Sequence, residues 1–263
     1  QMVSFKLTQP LPSTPGHHKL SAEFSGQGQK FTLPFLLFLP KDYAKTQDKR
    51  PLLLFLHGAG EGGTDLEAVF IHGPDAELKN KPPFRDNYPF IGLSPQCVPG
   101  RRWDTRGSIA AVVALLDEVI KNCRVDAMRV YATGLSMGGR GTWMVGMHAP
   151  DRFAAIAPIS AAEFQPETAA DKLKDVAVWI ICGDADGGFT DGSKRMNDVL
   201  KKGGVDVHMT LVPNEGHGAW GRYYPDPKFY EWLLKRQRKP SPIVQPPKTV
   251  QPIQKVVAAK PAE

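Results

Sequence analysis

The sequence predicts an α/β fold in which a mostly parallel sheet is covered by helices on both faces. Short apolar runs bounded by turn residues alternate with segments that repeat apolar residues every three or four positions. Continuous apolar runs are typical of strands buried on both faces, and the alternation with amphipathic helices is typical of parallel sheets. The chain has 263 residues, of which 41% are hydrophobic and 23% charged, so it is long enough to bury a large core.

The first elements predict an antiparallel hairpin. Residues 19–24 and 31–39 are two strand-like runs, and residues 25–28 between them read Ser-Gly-Gln-Gly. Such a cluster of turn-forming residues joins neighbouring antiparallel strands.

The parallel part follows in the order strand, helix, strand. In residues 109–123 the apolar side chains fall on one helical stripe. The remaining predicted strands are residues 51–56, 89–93, 128–133, 153–159, 176–182 and 205–212, and the remaining helices are residues 137–148, 193–202 and 227–236. We interpret residues 1–238 as one folded domain. Residues 239–263 are rich in proline, glutamine and lysine, and predict a flexible tail or a linker to another module.

Charge and cysteine content argue against two classes of function. The formal net charge is +6, but five basic residues and only one acidic residue follow Gln237, so the domain itself is close to neutral. We therefore expect no nucleic-acid partner. The three cysteines lack metal-ligand spacing, so we expect no metal site.

The sequence also bears on localisation. No apolar stretch is long enough to span a bilayer, so we expect no membrane span. Gln1 precedes Met2, as in a trimmed mature chain, and we therefore expect a secreted or periplasmic protein.

The most informative motif is Gly134-Leu135-Ser136-Met137-Gly138, directly after the strand-like residues 128–133. A serine on a sharp turn between a strand and a helix is a nucleophile elbow. Glycine is needed two residues before and after it, because side chains there would collide with neighbouring backbone. Ser136 is therefore the candidate nucleophile.

A serine hydroxyl is a weak nucleophile at neutral pH and needs a histidine base within hydrogen-bond reach. His217 lies in a glycine-flanked loop immediately after the strand that ends at Val212, and the other histidines fit such a position less well. His217 is therefore the candidate base.

The acid that would orient this base is expected after the strand 176–182. Cys182-Gly183-Asp184-Ala185-Asp186 offers two carboxylates at a strand end, where catalytic groups gather in such sheets. We favour Asp186, which lies farther into the loop, and Asp184 is the alternative. Asp191 is interpreted as a helix N-cap.

Attack on a carbonyl also requires donors for the developing oxyanion. The loop His57-Gly58-Ala59-Gly60-Glu61 follows the predicted strand 51–56. Its Ala59 amide, with the Gly60 amide as the alternative, is predicted to bind the oxyanion together with the amide of Met137. Candidate substrate-binding residues are Trp103, Gln96 and Glu61, although Trp103 is equally suited to pinning its own loop. Arg101 and Arg102 are interpreted as solvated surface rather than as partners of an acidic substrate group.

Five segments together resemble the phospholipase/carboxylesterase-like branch of the α/β-hydrolase superfamily, and also its single-domain feruloyl and acetyl esterases. They are residues 56–61, 94–96, 134–139, 182–186 and 216–220. The resemblance implies an α/β-hydrolase fold and a serine esterase with Ser136, Asp186 and His217 as catalytic triad. It further implies Ala59 and Met137 as the oxyanion hole. In similar proteins the second aspartate of Gly-Asp-x-Asp is the acid, which favours Asp186.

The predicted function is hydrolysis of carboxylic esters through an acyl-enzyme, without a cofactor. Only about fifteen residues separate the strands ending at 159 and beginning at 176, which leaves no room for a large lid. The resulting open cleft suits small esters and acyl or feruloyl esters carried by polysaccharides. Two alternatives stay open: a serine peptidase or thioesterase with the same triad, and a non-catalytic carbohydrate-binding or adaptor protein on a hydrolase fold.

Overall fold

A computed structural model describes residues 4–161 and 166–238, and its strands form one twisted sheet. The strands are β1 (Ser4–Leu7), β2 (Gly16–Gly26), β3 (Gln29–Leu39), β4 (Arg50–Leu56), β5 (Ile91–Pro95), β6 (Val125–Leu135), β7 (Ala155–Ile159), β8 (Ala177–Gly183) and β9 (Val207–Val212). Their order across the sheet is β1-β2-β3-β5-β4-β6-β7-β8-β9. The pairs β1–β2, β2–β3 and β3–β5 are antiparallel. The other five neighbouring pairs, from β5–β4 to β8–β9 in the sheet order, are parallel.

Helices cover both faces of this sheet. They are α1 (Gly73–Asn80), α2 (Pro82–Asp86), α3 (Arg106–Asn122), α4 (Met137–His148), α5 (Ala169–Lys172), α6 (Gly188–Lys202), α7 (Trp220–Tyr223) and α8 (Pro227–Leu234). Within residues 4–161 and 166–238, no helix has both the length and the apolar character that crossing a bilayer requires.

The central strand β4 shows why the sheet is buried on both faces. Leu52, Leu54 and Leu56 pack into the apolar cluster on one face, and Leu53 and Phe55 pack into the cluster on the other. Side chains alternate between the faces of a strand, so both clusters need apolar residues and the strand is continuously apolar. The predicted α/β fold with its N-terminal antiparallel hairpin is confirmed.

Several boundaries differ from those that the sequence predicts. The hairpin turn narrows to Gln27 and Gly28, both at positive φ (52° and 73°), as tight two-residue hairpins require. The edge strand β1 and the short helices α1 and α2 were not predicted. Helix α6 begins at Gly188 rather than near residue 193, so Asp191 lies in its first turn and the N-cap is Gly187.

Two expectations concern residues that the structure does not describe. The predicted tail, residues 239–263, lies outside the described residues. The connection between β7 and β8 is described except for residues 162–165, and its described part contains a 3-10 turn, Pro166–Thr168, and α5.

Candidate active site

The turn after β6 holds Ser136 in a strained conformation at the start of α4. Ser136 has φ 52° and ψ −115°, a region that side-chain-bearing residues rarely occupy. A Cβ atom on Gly138 would lie 1.8 Å from the carbonyl oxygen of Leu56, and one on Gly134 would lie 2.4 Å from that of Gly138. Both positions therefore require glycine, as the elbow motif predicts.

His217 lies within hydrogen-bond distance of the serine hydroxyl. Its Nε2 atom is 2.8 Å from Ser136 Oγ. His217 lies in the loop that follows β9, whereas Ser136 follows β6, and the two strands are separated by β7 and β8 in the sheet. Because these parallel strands all end at the same edge, residues far apart in the chain meet there.

Asp186 lies on the other side of the imidazole. The Nδ1 atom of His217 is 2.9 Å from Oδ1 and 3.1 Å from Oδ2 of Asp186. Asp186 is buried, and its amide donates to the hydroxyl of Thr190, which itself donates to the carbonyl of Gly183. Asp184 is exposed, and the structure does not bring its carboxylate to His217.

Main-chain hydrogen bonds join the loop of Asp186 to the loop of His217. The Ala185 amide donates to the carbonyl of Glu215 at 3.0 Å, and the Asp184 amide donates to that of Val212, also at 3.0 Å. A Cβ atom on Gly183 would lie 2.1 Å from the Glu215 carbonyl oxygen, so only glycine permits this close approach. The two loops are thus fixed to each other close to Asp186 and His217.

Two aromatic residues that the sequence did not single out as site residues pack on the imidazole. Phe189 stacks on His217 with ring centroids 4.8 Å apart, and the ring of Trp220 is perpendicular to the imidazole with centroids 5.3 Å apart. Phe189 lies in the first turn of α6, after Gly187 and Gly188, and is 42% exposed, which is unusual for so large an apolar side chain.

The predicted oxyanion donors, Ala59 and Met137, line one cavity of about 730 Å³. Ser136, Asp186 and His217 line the same cavity. Ala59 begins a 3-10 turn (Ala59–Glu61) and Met137 is the first residue of α4. Within the described part of the chain neither amide donates a hydrogen bond, and the N-terminus of a helix carries partial positive charge. Gly60, the alternative to Ala59, is not among the lining residues.

The three candidate substrate-binding residues lie behind this wall and do not line the cavity. Trp103 is buried and donates from Nε1 to the carbonyl of His57 at 3.0 Å. Gln96 is buried and donates from Nε2 to the carbonyls of Glu61 and Asp65 at 2.9 and 2.7 Å. These contacts fix the loop that carries Ala59.

His57 supports the same loop as a neutral imidazole. Its Nε2 accepts from the amide of Cys97 at 2.9 Å, so its proton is on Nδ1, 2.6 Å from the carbonyl of Gly58. Burial lowers the pKa of His57 to about 4. The buried carboxylate of Glu61 lies 3.9 Å from the same Nδ1 atom.

Basic side chains also line the cavity that contains Ser136, namely Arg102, Arg140 and Arg195. Among the residues that the structure describes, no three His, Cys, Asp or Glu side chains are grouped so that they could hold a metal ion.

Comparison with known proteins finds proteins whose fold is similar to that of this chain. The family model of the dienelactone hydrolase family matches residues 99–228. A search of curated proteins gave no match. Among solved structures, a thermostable esterase is 29% identical with a TM-score of 0.73, and the match covers 84% of this chain and 63% of that one. This chain therefore spans less than two thirds of that esterase.

Two further solved structures are similar at lower identity. A ferulic acid esterase is 19% identical with a TM-score of 0.60, and the match covers 84% of this chain and 97% of that one. The feruloyl esterase module from Clostridium thermocellum is 17% identical with a TM-score of 0.57, covering 86% and 89%. The resemblance to the α/β-hydrolase superfamily and its esterases is confirmed.

Proposed function

We propose that this α/β-hydrolase is a serine carboxylesterase that cleaves carboxylic esters through an acyl-enzyme on Ser136. The observation that carries the proposal is one line of contacts, from Ser136 Oγ to His217 Nε2 at 2.8 Å and from His217 Nδ1 to Asp186 at 2.9 Å. Nucleophile, base and orienting acid are in hydrogen-bond contact without any rearrangement.

In the first half-reaction, Ser136 Oγ attacks the ester carbonyl carbon while His217 Nε2 takes the hydroxyl proton. The negative charge that develops on the carbonyl oxygen is stabilised by the amides of Ala59 and Met137. The tetrahedral intermediate then breaks its bond to the alcohol oxygen, which receives the proton from His217. The acyl group stays on Ser136.

In the second half-reaction a water molecule replaces the alcohol. His217 removes a proton from water as its oxygen attacks the acyl carbon, and the collapse of the second tetrahedral intermediate returns that proton to Ser136 Oγ. The free acid leaves. Throughout, buried Asp186 accepts from Nδ1–H, which keeps Nε2 directed at the serine and stabilises the imidazolium form.

We propose acyl or feruloyl esters on polysaccharides as the substrates. The cavity of about 730 Å³ is large enough for an aromatic acyl group, and exposed Phe189 offers it an apolar surface. The names of two similar structures, a ferulic acid esterase and a feruloyl esterase module, support this class. Such polymers lie outside the cytoplasm, so the proposal includes a secreted or periplasmic location.

The test compares Ser136→Ala and His217→Gln with the parent protein on aryl acetate, butyrate and ferulate esters. We expect each variant to lose roughly 10⁴-fold or more in kcat. Ser4→Ala and His208→Gln are matched controls, since both side chains are exposed and do not line the cavity. Unchanged turnover in Ser136→Ala would refute the serine mechanism.

Matched thioester and peptide anilide substrates separate the remaining alternatives. Faster cleavage of either than of the corresponding ester would assign the chain to the thioesterases or peptidases. A parent protein that binds polysaccharide but hydrolyses none of these substrates would be an adaptor rather than an enzyme.

A further inference from the structure

A second cavity of about 590 Å³ adjoins the proposed catalytic cavity, which is the one lined by Ser136 and His217. The two cavities meet at Arg140, which lines both of them. The second cavity lies between the first turn of α3, the last turns of α4 and the one-turn helix α5, which contribute Arg106, His148 and Lys172. No step of the proposed mechanism uses these residues.

The charge of the second cavity is positive. Three cationic side chains line it, Arg106, Arg140 and Lys172, against the single carboxylate of Asp104. That carboxylate is already engaged, because its oxygens lie 3.1 Å from Nε of Arg102 and 3.1 Å from Nε of Arg140. Within residues 4–161 and 166–238, neither Arg106 nor Lys172 forms an ion pair with a carboxylate.

The same sign of charge continues into the catalytic cavity. Arg102 and Arg195 line it, while its one carboxylate, Asp186, is in contact with His217. A substrate that occupies both cavities therefore meets basic side chains in each of them. A cleft lined by one sign of charge raises the local concentration of ligands of the opposite sign.

We propose that the second cavity is an anion subsite that binds a carboxylate on a sugar chain while an ester on the same chain lies at Ser136. Guanidinium groups suit this role because their planar donor pairs match a carboxylate. The neutral polar side chains of Gln27 and Thr168, which also line the cavity, suit sugar hydroxyls. The substrate class is then an ester on a uronate-containing saccharide, and this inference rests on the proposed function.

The experiment measures binding rather than turnover. Ser136→Ala protein, otherwise the full chain, is titrated by calorimetry with trigalacturonate and with its fully methyl-esterified form. The two probes differ in charge but not in sugar. We expect the free acid to bind at least tenfold more tightly at low salt, and its advantage to shrink at high salt because exposed charges are screened.

Two double variants, each added to Ser136→Ala, locate the subsite. Arg106→Gln with Lys172→Gln is expected to abolish the advantage of the free acid. Lys201→Gln with Lys202→Gln removes the same number of charges from exposed positions at the end of α6 and is expected to preserve it. Thermal unfolding checks the fold. If the first double variant unfolds, Lys172→Gln is compared with Lys201→Gln, since each removes one charge from an exposed side chain, and only Lys172→Gln is expected to reduce the advantage of the free acid.

The outcomes are separable. Equal affinity for the two trigalacturonate forms, or an advantage that survives the loss of Arg106 and Lys172, overturns the anion subsite. Tighter binding of triglutamate than of trigalacturonate overturns the saccharide assignment in favour of an acidic peptide. The binding assay uses a variant without the proposed nucleophile, so absence of ester hydrolysis by the parent would count against the proposed function alone.

Discussion

The ring of Phe189 lies on the imidazole of His217, with centroids 4.8 Å apart and planes inclined by 25°. Trp220 meets the same imidazole edge-on at 5.3 Å and 88°. The imidazole of the proposed base is therefore packed against two aromatic rings, and its orientation toward Ser136 is held by packing as well as by Asp186. Gly187, at φ +56°, is the N-cap of α6, and Phe189 is the second residue of that helix.

Phe189→Ala should impair catalysis by loosening His217. Aromatic pairs contribute about 0.5–1.5 kcal/mol beyond burial, so we expect kcat on small aryl esters to fall by roughly 2- to 10-fold. Phe189→Tyr keeps the ring and should restore most of the rate, and Ile71→Ala, at an exposed apolar side chain, is the control. Steady-state kinetics that determine kcat and KM separately for each variant test this prediction. A change confined to KM would contradict a role of Phe189 in holding His217 and would leave it only its contact with the acyl group.

Asp186→Asn should lower kcat on aryl esters by roughly 10³- to 10⁴-fold, because an amide does not hold Nδ1 protonated or stabilise the imidazolium. Asp184→Asn should leave the rate close to that of the parent, since the Asp184 carboxylate is exposed and not in contact with His217. Kinetics on the same ester compare the two. Equal losses in both variants would contradict the assignment of Asp186 as the single acid.

Ala59→Pro should remove one proposed oxyanion donor without removing a side chain from the core. Proline lacks the N–H group and is accepted at the first position of a helical turn after the extended Gly58. Loss of one such donor costs about 10²–10³ in kcat. Ala59→Gly, which keeps the amide, should lose far less. Comparable rates for the two variants would place the donor elsewhere in the loop.

His57 should make the fold sensitive to acid. Its pKa is lowered by burial from 6.5 to about 4, so between these values the unfolded chain binds a proton that the folded protein does not. The free energy of unfolding is therefore expected to fall as pH decreases from 6.5 to 4, by on the order of 3 kcal/mol. Urea unfolding at pH 7 and pH 5 should show roughly 2 kcal/mol of this decrease, the part that falls between those two pH values. His57→Gln should flatten this dependence relative to exposed His208→Gln, and an equal slope in both would contradict the argument.

Much of the site could be predicted because local sequence dictates it. The elbow needs glycine at positions 134 and 138 for steric reasons that hold in any chain, so the motif identifies Ser136 without knowledge of the tertiary structure. His217 and Asp186 followed from their places after strands, since parallel strands present their carboxyl ends at one edge. Their catalytic roles stay a prediction.

Side-chain directions could not be read in the same way. The sequence put Trp103, Gln96 and Glu61 near the cleft, but whether each faces substrate or the back of the loop depends on partners that only the fold supplies. Trp103 faces inward because its N–H group finds the carbonyl of His57. Helix α6 began earlier than predicted because buried Thr190, bonded to Gly183, holds the first turn although its glycines are poor helix formers.

The pairing of the Ala185 amide with the Glu215 carbonyl and of the Asp184 amide with the Val212 carbonyl has a mechanical consequence. These bonds join the loops that carry His217 and Asp186, whereas Ser136 lies on a separate turn after β6. Thermal motion that widens the cleft will therefore stretch the contact between serine and imidazole first and leave the imidazole–carboxylate contact intact. In the proposed mechanism, a substrate can therefore enter without breaking the hydrogen bond between His217 and Asp186.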